Sequence, residues 1–364
     1  METAKPQVSN FNFIEIFGKP VDQVDALLAN KAQHIRKIEI PKRDGGKRTI
    51  IAPDAPLKYV QKSVYWKLLK RYKPSPYAHG FVHKRGIVTN ANLHVGASVL
   101  GKIDIKSFFD TISANHLKNC LFGNMNVCRY CKHWDRMREG RCHPSLYKNK
   151  AQKFECGCEE IKAVFIPNYC EETGYQSLFT RVIELCTVNG FAVQGFPTSP
   201  TLANIVMRGF DLSMGKYCEG LGITYSRYAD DLAFSTRSHN KTELIELTKK
   251  KTYRLLWAYG FRPNIKKTRY TTKHGRMRIC GVVVNVKTSI QRSRVKLFRA
   301  QVFNAINKHP SKTTKARLRE LKGWAAYFSS IDKLHGTKYM NQLIEFEKSK
   351  FGSKSALETS ESAR

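Results

Sequence analysis

The chain has 364 residues, 63 of them Lys or Arg against 29 Asp or Glu, for a net charge of +34. That length holds two or three subdomains around a sizeable core, and 41% hydrophobic content excludes a disordered tail protein. The basic excess runs along the whole chain and suits a polyanion, nucleic acid before an anionic membrane, because no run of 18 apolar residues and no amphipathic basic anchor is present.

The opening METAKPQVSNFNFIEIF lacks a signal-peptide pattern, so a cytoplasmic protein with no membrane partner is expected. In that compartment ten cysteines argue for metal or core roles before disulfides. No repeat of solenoid length is present. Residues 35–53 read as a β-hairpin, with Ile38, Ile40, Ile50 and Ile51 flanking a turn at Asp44-Gly45-Gly46. Its tip carries Lys42, Arg43, Lys47 and Arg48, a basic finger suited to phosphates. Residues 99–109 read as a strand running into a turn, with Asp104 between Ile103 and Ile105, and ANHLKNCLF follows as a helix.

Residues 123–172 hold Cys128-x-x-Cys131, Cys142-His143, Cys156-x-Cys158 and Cys170. Thiolates at such spacing suit a structural zinc on Cys128, Cys131, Cys156 and Cys158, with Cys142 or His143 as substitutes. The alternative is a lysine-rich loop with reduced thiols, and contact with RNA or a partner suits either. Cys186, Cys218 and Cys280 sit in apolar settings as core residues.

A turn-rich Gly195–Pro200 precedes a helix from about Thr201, with Leu202, Ile205, Val206, Phe210 and Met214 on one face and Thr198 or Ser199 as its cap. Residues 222–236 are two short strands meeting at Ala229-Asp230-Asp231. Residues 241–259 are helical, with Leu244, Leu247, Tyr253, Leu256 and Trp257 as the buried stripe, and 279–286 make a further strand. From 294 the pattern is helical: Val295, Phe298, Val302, Phe303 and Ile306, a stop at Pro310, then Leu318, Leu321, Trp324, Ala325 and Phe328. Residues 287–322 carry eleven Lys or Arg and one acid, Glu320, too lopsided for salt-bridge lacing and better suited to a nucleic-acid cradle than to a solvated face. The final SKSALETSESAR reads as a disordered tail.

Aspartates are among the least strand-like residues, and a buried carboxylate needs a proton, a cation or a basic partner. Asp104 and Asp230 each sit in a strand near a turn, 126 positions apart. Magnesium takes oxygen ligands and keeps waters and substrate phosphates, and two such ions about 4 Å apart activate a hydroxyl and steady a leaving pyrophosphate. Asp104 and Asp230 fit as the shared ligands. Asp231 takes a supporting role, since adjacent strand residues face opposite ways unless a tight turn relaxes the rule. An Asx-turn is the purely structural alternative.

DIKSFFDTI with Asp104, QGFPTSPTLAN at 194–204, YADD at 228–231 and GFRPNIKKT at 260–268 occur in that order. Together they resemble the successive motifs of reverse transcriptases. The resemblance implies an α+β right-hand polymerase with fingers, a palm built on an antiparallel sheet, and a helical thumb. Residues 1–95 would form the N-terminal region and fingers, 96–122 the first part of the palm and 123–172 a Cys-rich insertion. Residues 173–286 would complete fingers and palm, 287–350 the thumb, and 351–364 a tail. Asp104, Ile105, Asp230 and Asp231 would belong to the magnesium site, and Phe109 would be the aromatic gate that rejects a 2′-OH and selects dNTPs. Gln194 and Gly195 would line the nucleotide and template pocket. Arg48, with Lys47 as second choice, would hold the triphosphate, and Lys267, on the lysine-bearing loop, would protonate the departing pyrophosphate.

Asn90-Ala91-x-x-His94 further resembles a signature of bacterial retron reverse transcriptases, which carry Val-Thr-Gly where this chain has Ile279-Cys280-Gly281. KGWAAYFSSID at 322–332 is similar to the family's thumb helix. Asn90, His94, Arg294, Lys296, Arg317 and Trp324 are then expected RNA contacts. Membership would imply a cognate structured noncoding RNA, priming from a guanosine 2′-OH to give branched RNA–DNA (msDNA), and antiphage defence with a separate effector protein. No RNase H domain is visible, so template removal would be borrowed. Two alternatives stand beside this reading. One is another bacterial reverse transcriptase of intron or defence type; an intron type would usually carry a further maturation or endonuclease domain, for which the segment after the thumb leaves no room. The other is a non-catalytic RNA-binding scaffold, against which Asp104, Asp230, Asp231 and Phe109 argue.

Overall fold

The computed structural model describes residues 13–41, 45–121 and 173–352. The zinc expectation on Cys128, Cys131, Cys156 and Cys158, the tip residues Lys42 and Arg43, and the expected tail all lie outside these residues. Helices Phe13–Phe17 and Val21–Ala29 lead into β1 (Ile35–Pro41) and β2 (Lys47–Pro53), an antiparallel hairpin in register from Ile35 opposite Pro53 to Pro41 opposite Lys47. Asp54 then accepts the Leu57 amide at 3.1 Å and caps helix Ala55–Lys67, with Pro56 in the first turn.

Four strands form the central antiparallel sheet: β3 (Val99–Ile105), β4 (Thr224–Tyr228), β5 (Asp231–Thr236) and β6 (Pro263–Thr272), in the order β4-β5-β3-β6. Side chains alternate across the sheet. Val99, Ile103, Ile105, Leu232 and Phe234 enter the main core, with helices Ser199–Glu219 and Lys241–Ala258 packed against the sheet. Leu100 and Ala233 face the other way. They meet Ala91 of helix Ile87–Asn92 and Met277, Ile279, Val282 and Val284 in a smaller core. Helices Arg292–Phe303, Lys315–Ile331 and Lys333–Phe351 form a unit with a core of its own, where Phe298 stacks on Phe328 at 4.7 Å. Among the described residues no helix is long and apolar enough to cross a membrane.

Four local expectations need correction. Residues 279–286 are not one strand. They hold β7 (Arg278–Ile279) and β8 (Val282–Val283), joined by Cys280 and Gly281 at φ 47° and 86°, the signs a tight primed turn demands. Neither Thr198 nor Ser199 caps the Ser199–Glu219 helix: the Thr198 backbone is already helical and makes no capping bond. The buried ridge of helix Lys241–Ala258 runs Leu244, Thr248, Thr252, Leu256 at four-residue steps. Trp257, a further 100° round, is 54% exposed and covered by the Arg262 guanidinium 3.3 Å from its ring centroid. Phe303 is exposed for the same reason, one position beyond buried Val302.

Candidate active site

β3 ends where β5 begins. Asp104 lies directly opposite Asp231, and Asn264 of β6 flanks Asp104 on its other side. By the two-residue alternation, Asp104 and Asp231 share the sheet face of Leu100 and Ala233, away from the main core. β4 and β5 join through only Ala229 and Asp230, since Tyr228 already pairs with Asp231. Ala229 adopts φ 55°, as the first residue of a tight II′-class hairpin requires, although an alanine there is strained. The Asp230 carbonyl accepts the Ile105 amide at 3.0 Å, which ties the turn to the end of β3. Three carboxylates from two distant segments therefore share one corner of the sheet.

Repulsion at this corner is strong. Burial, then the charges of Asp231 and Asp104, push the Asp230 carboxyl up to about 6, with Lys267 acting in the opposite direction. Lys267 stands on β6, not on a loop as expected, and its Nζ is 3.4 Å from Asp104 Oδ2. Its side chain is 61% exposed, so this contact is loose and reversible. Among the described residues no three His, Cys, Asp or Glu side chains form a ready-made cage. Hard oxygen donors that repel one another without closing into a cage fit magnesium, which keeps waters and substrate phosphates among its ligands.

The turn rests on a buried network that sequence reasoning passed over. Arg227 is fully buried and grips Asp211 through Nε and Nη2, at 2.8 and 2.7 Å. Its Nη1 donates to the Ala229 carbonyl at 3.1 Å, and its Nη2 reaches Asn204 Oδ1 at 3.0 Å. Asn204 donates onward to the Gly80 carbonyl at 2.9 Å, and the Tyr225 hydroxyl donates to Asp211. Gly80 lies so close that an added Cβ would stand 2.6 Å from the Ala229 amide. The one visible signal in the sequence was an arginine inside an otherwise uncharged strand.

The other expected residues fall into three groups. Phe109 is half-buried beside the corner, its ring 6.4 Å from Phe81, whose ring is in turn 6.4 Å from that of Tyr228. Phe81 carried no sequence signal, because its place in this row is set wholly by tertiary contact. Gln194 and Gly195 seat the basic hairpin: the Ile51 amide donates to the Gln194 carbonyl at 2.7 Å, and Gly195, at φ 119°, would place a Cβ 2.4 Å from the Ile51 carbonyl. Gly195→Ala is therefore expected to cost roughly 2 kcal/mol or more in thermal unfolding and to raise the KM for nucleotide, because the hairpin must tilt. An unchanged Tm would show that the hairpin is not seated there. Arg48 is exposed on β2, whereas Lys47 is engaged by Glu39 at 2.7 Å.

Asn90 and His94, expected to touch RNA, lie inside the protein, each 1% exposed. His94 bridges Ser235 and Ser226 at 2.7 Å each, and burial pushes its pKa down to about 3, so the ring is neutral and reaches no phosphate. Asn90 donates to Cys280 Sγ at 3.6 Å, so the Asn-x-x-x-His segment braces the β7–β8 turn. On the helical unit Lys296 is exposed and Trp324 is 38% exposed, with the Arg294 guanidinium 5.9 Å from its ring centroid, while Arg317 is paired with Glu320.

Residues 40–284 match the family described as reverse transcriptase (RNA-dependent DNA polymerase). The Retron Mx162 reverse transcriptase of Myxococcus xanthus is 30% identical over 331 residues, 87% of this chain and 61% of its own length. The Retron Ec86 reverse transcriptase of Escherichia coli is 25% identical over 84% of this chain and 78% of its own. The chain thus spans about three-fifths of the Myxococcus relative. Apo telomerase from Candida tropicalis aligns over 92% of this chain and 64% of its own at 13% identity and a TM-score of 0.43, too distant to carry an argument.

Proposed function

The chain belongs to the reverse transcriptase (RNA-dependent DNA polymerase) family, and on that premise we propose that it is a retron-type enzyme that binds a cognate structured noncoding RNA and copies part of it into DNA. The observation that carries the proposal is the meeting of Asp104, Asp230 and Asp231 at one sheet corner of a chain with net charge +34. Magnesium, as two ions held by these carboxylates next to Ile105, would supply activation of the primer hydroxyl and charge balance for the departing pyrophosphate.

The chain's own residues do the rest. Phe109 presents its ring beneath the sugar of the dNTP. Arg48 reaches the triphosphate from the hairpin that Gln194 and Gly195 seat. Lys267 leaves Asp104 as substrate arrives and gives its proton to pyrophosphate. The helical unit after residue 290 offers its basic face to the RNA–DNA product. Retron relatives and the Asn90–Cys280 contact between two signature segments support the retron type. Priming from a guanosine 2′-OH, msDNA, and a cytoplasmic antiphage role with a separate effector belong to the same proposal and rest on the resemblance.

The test is nucleic acid copurified from cells that express the protein with its flanking DNA. A short DNA is expected that shifts in a denaturing gel after RNase treatment and vanishes with Asp104→Asn. A DNA that depends on Asp104 without shifting would keep the polymerase and remove the 2′-OH priming. Bound RNA with no DNA would leave a scaffold.

A further inference from the structure

Residues 55–103 contain nine Lys or Arg and no Asp or Glu. Part of that charge is ordered on helix Ala55–Lys67. Leu57, Val60, Gln61 and Val64 form its buried side, and it packs on helices Phe13–Phe17 and Thr173–Cys186. On the opposite side Lys58, Lys62 and Trp66 follow one another at four-residue steps with Tyr59 beside them, within an arc of about 100°. Lys70, in the 3₁₀ turn Leu69–Arg71, extends the row and places its amine 4.2 Å from the Trp66 ring centroid. Tyr59 and Trp66 are 54% and 56% exposed, more open than Trp324 at 38%. None of these residues belongs to the carboxylate corner.

The Tyr59 hydroxyl donates to the Gly18 carbonyl at 3.4 Å and Trp66 meets the edge of Tyr65, yet both residues stay more than half exposed between like charges, which calls for a partner that uses both. Lysines one helical turn apart, about 6 Å, match successive phosphates along a strand, and exposed rings are platforms for unstacked bases. A membrane is the poorer fit, because the apolar side of this helix is already buried in the core. An acidic protein would satisfy the lysines and leave the two rings without a purpose.

We propose that Lys58, Tyr59, Lys62, Trp66 and Lys70 form a second RNA-binding surface, apart from the carboxylate corner, that grips a single-stranded segment of the RNA partner. This deepens the RNA part of the function proposed above and does not depend on catalysis.

The test uses the full chain and a fluorescent RNA hairpin with a single-stranded tail, with no dNTP and no Mg2+. K58E/K62E/K70E is expected to weaken binding at least ~10-fold and to lower the slope of log K against log salt by about two. W66A is expected to weaken it roughly 5-fold or more. Ultraviolet crosslinking should place RNA on the peptide bearing Tyr59 and Trp66. Turnover on a saturating short DNA-primed RNA template should stay at the wild-type rate in both variants, which reads folding separately. If the triple reversal also loses turnover, K58Q/K62Q/K70Q is read by the same slope. Unchanged affinity and slope would overturn the proposal. So would intact RNA binding accompanied by lost binding to phosphatidylserine vesicles or to polyglutamate. Wild-type protein that binds RNA through this stripe but extends no primer would instead sink the polymerase reading and leave this one standing.

Discussion

Asp230→Asn is expected to reduce primer extension by ~10³ or more and, in the absence of Mg2+, to make the protein more stable. The two effects share one cause. Asp230 is held against Asp231 and Asp104 and burial penalises its charge, so its carboxyl is pushed from 3.8 up to about 6. A carboxyl with a folded pKa above its unfolded one binds protons more tightly in the folded state. Its contribution to stability is fully present below pH 4 and is lost as pH rises through about 6. At pH 7.5 the wild-type protein therefore carries a penalty of up to about 3 kcal/mol, which the neutral amide removes. The variant should melt a few degrees higher at that pH, with the difference vanishing near pH 4. Mg2+ should raise the wild-type Tm and leave that of the variant nearly unchanged. A variant that melts lower than wild type in EDTA would contradict the electrostatic account of the corner, whatever its activity.

Arg227→Met is the second large effect, and its outcome divides stability from catalysis. The substitution leaves Asp211 buried and unpaired, so a loss of about 3–5 kcal/mol is expected in urea unfolding. R227M/D211N removes the stranded charge and keeps an amide oxygen for the Tyr225 hydroxyl, so most of that stability should return. Activity should not return with it. The Ala229 carbonyl has still lost the Nη1 donor that holds the strained turn, and Asn204 has lost its link to that turn. Displacement of the carboxylates by a fraction of an ångström to 1 Å is expected to cost 10- to 100-fold in kcat at unchanged RNA affinity. Full recovery of kcat in the double variant would reduce Arg227 to a partner for Asp211 and nothing more.

The placement of the carboxylates was largely legible in the sequence because it follows from residue types at short range. YADD between apolar flanks predicts a hairpin with carboxylates at its turn, and β4 and β5 meet at Ala229-Asp230. Asp104 between two isoleucines predicts a strand, and it is the penultimate residue of β3. The hairpin at 35–53 and the helices after 290 follow from turn residues and apolar spacing in the same way. Charge alone, 63 against 29, already pointed to nucleic acid.

What remained was decided by tertiary contact, which local pattern does not encode. Polar residues proved interior: Thr248 and Thr252 build the ridge that Trp257 was expected to share, and Asn90 and His94 brace strands where RNA contact was expected. A hydroxyl, an amide or an imidazole is buried when a partner satisfies it, and most of these partners come from other elements: Tyr270 for Thr248, Cys280 for Asn90, Ser226 and Ser235 for His94. Arg227 is the clearest case. Its neighbours in the chain say nothing of Asp211 or Asn204, yet only the fold that brings them together makes a buried guanidinium affordable and gives the Ala229–Asp230 turn its shape.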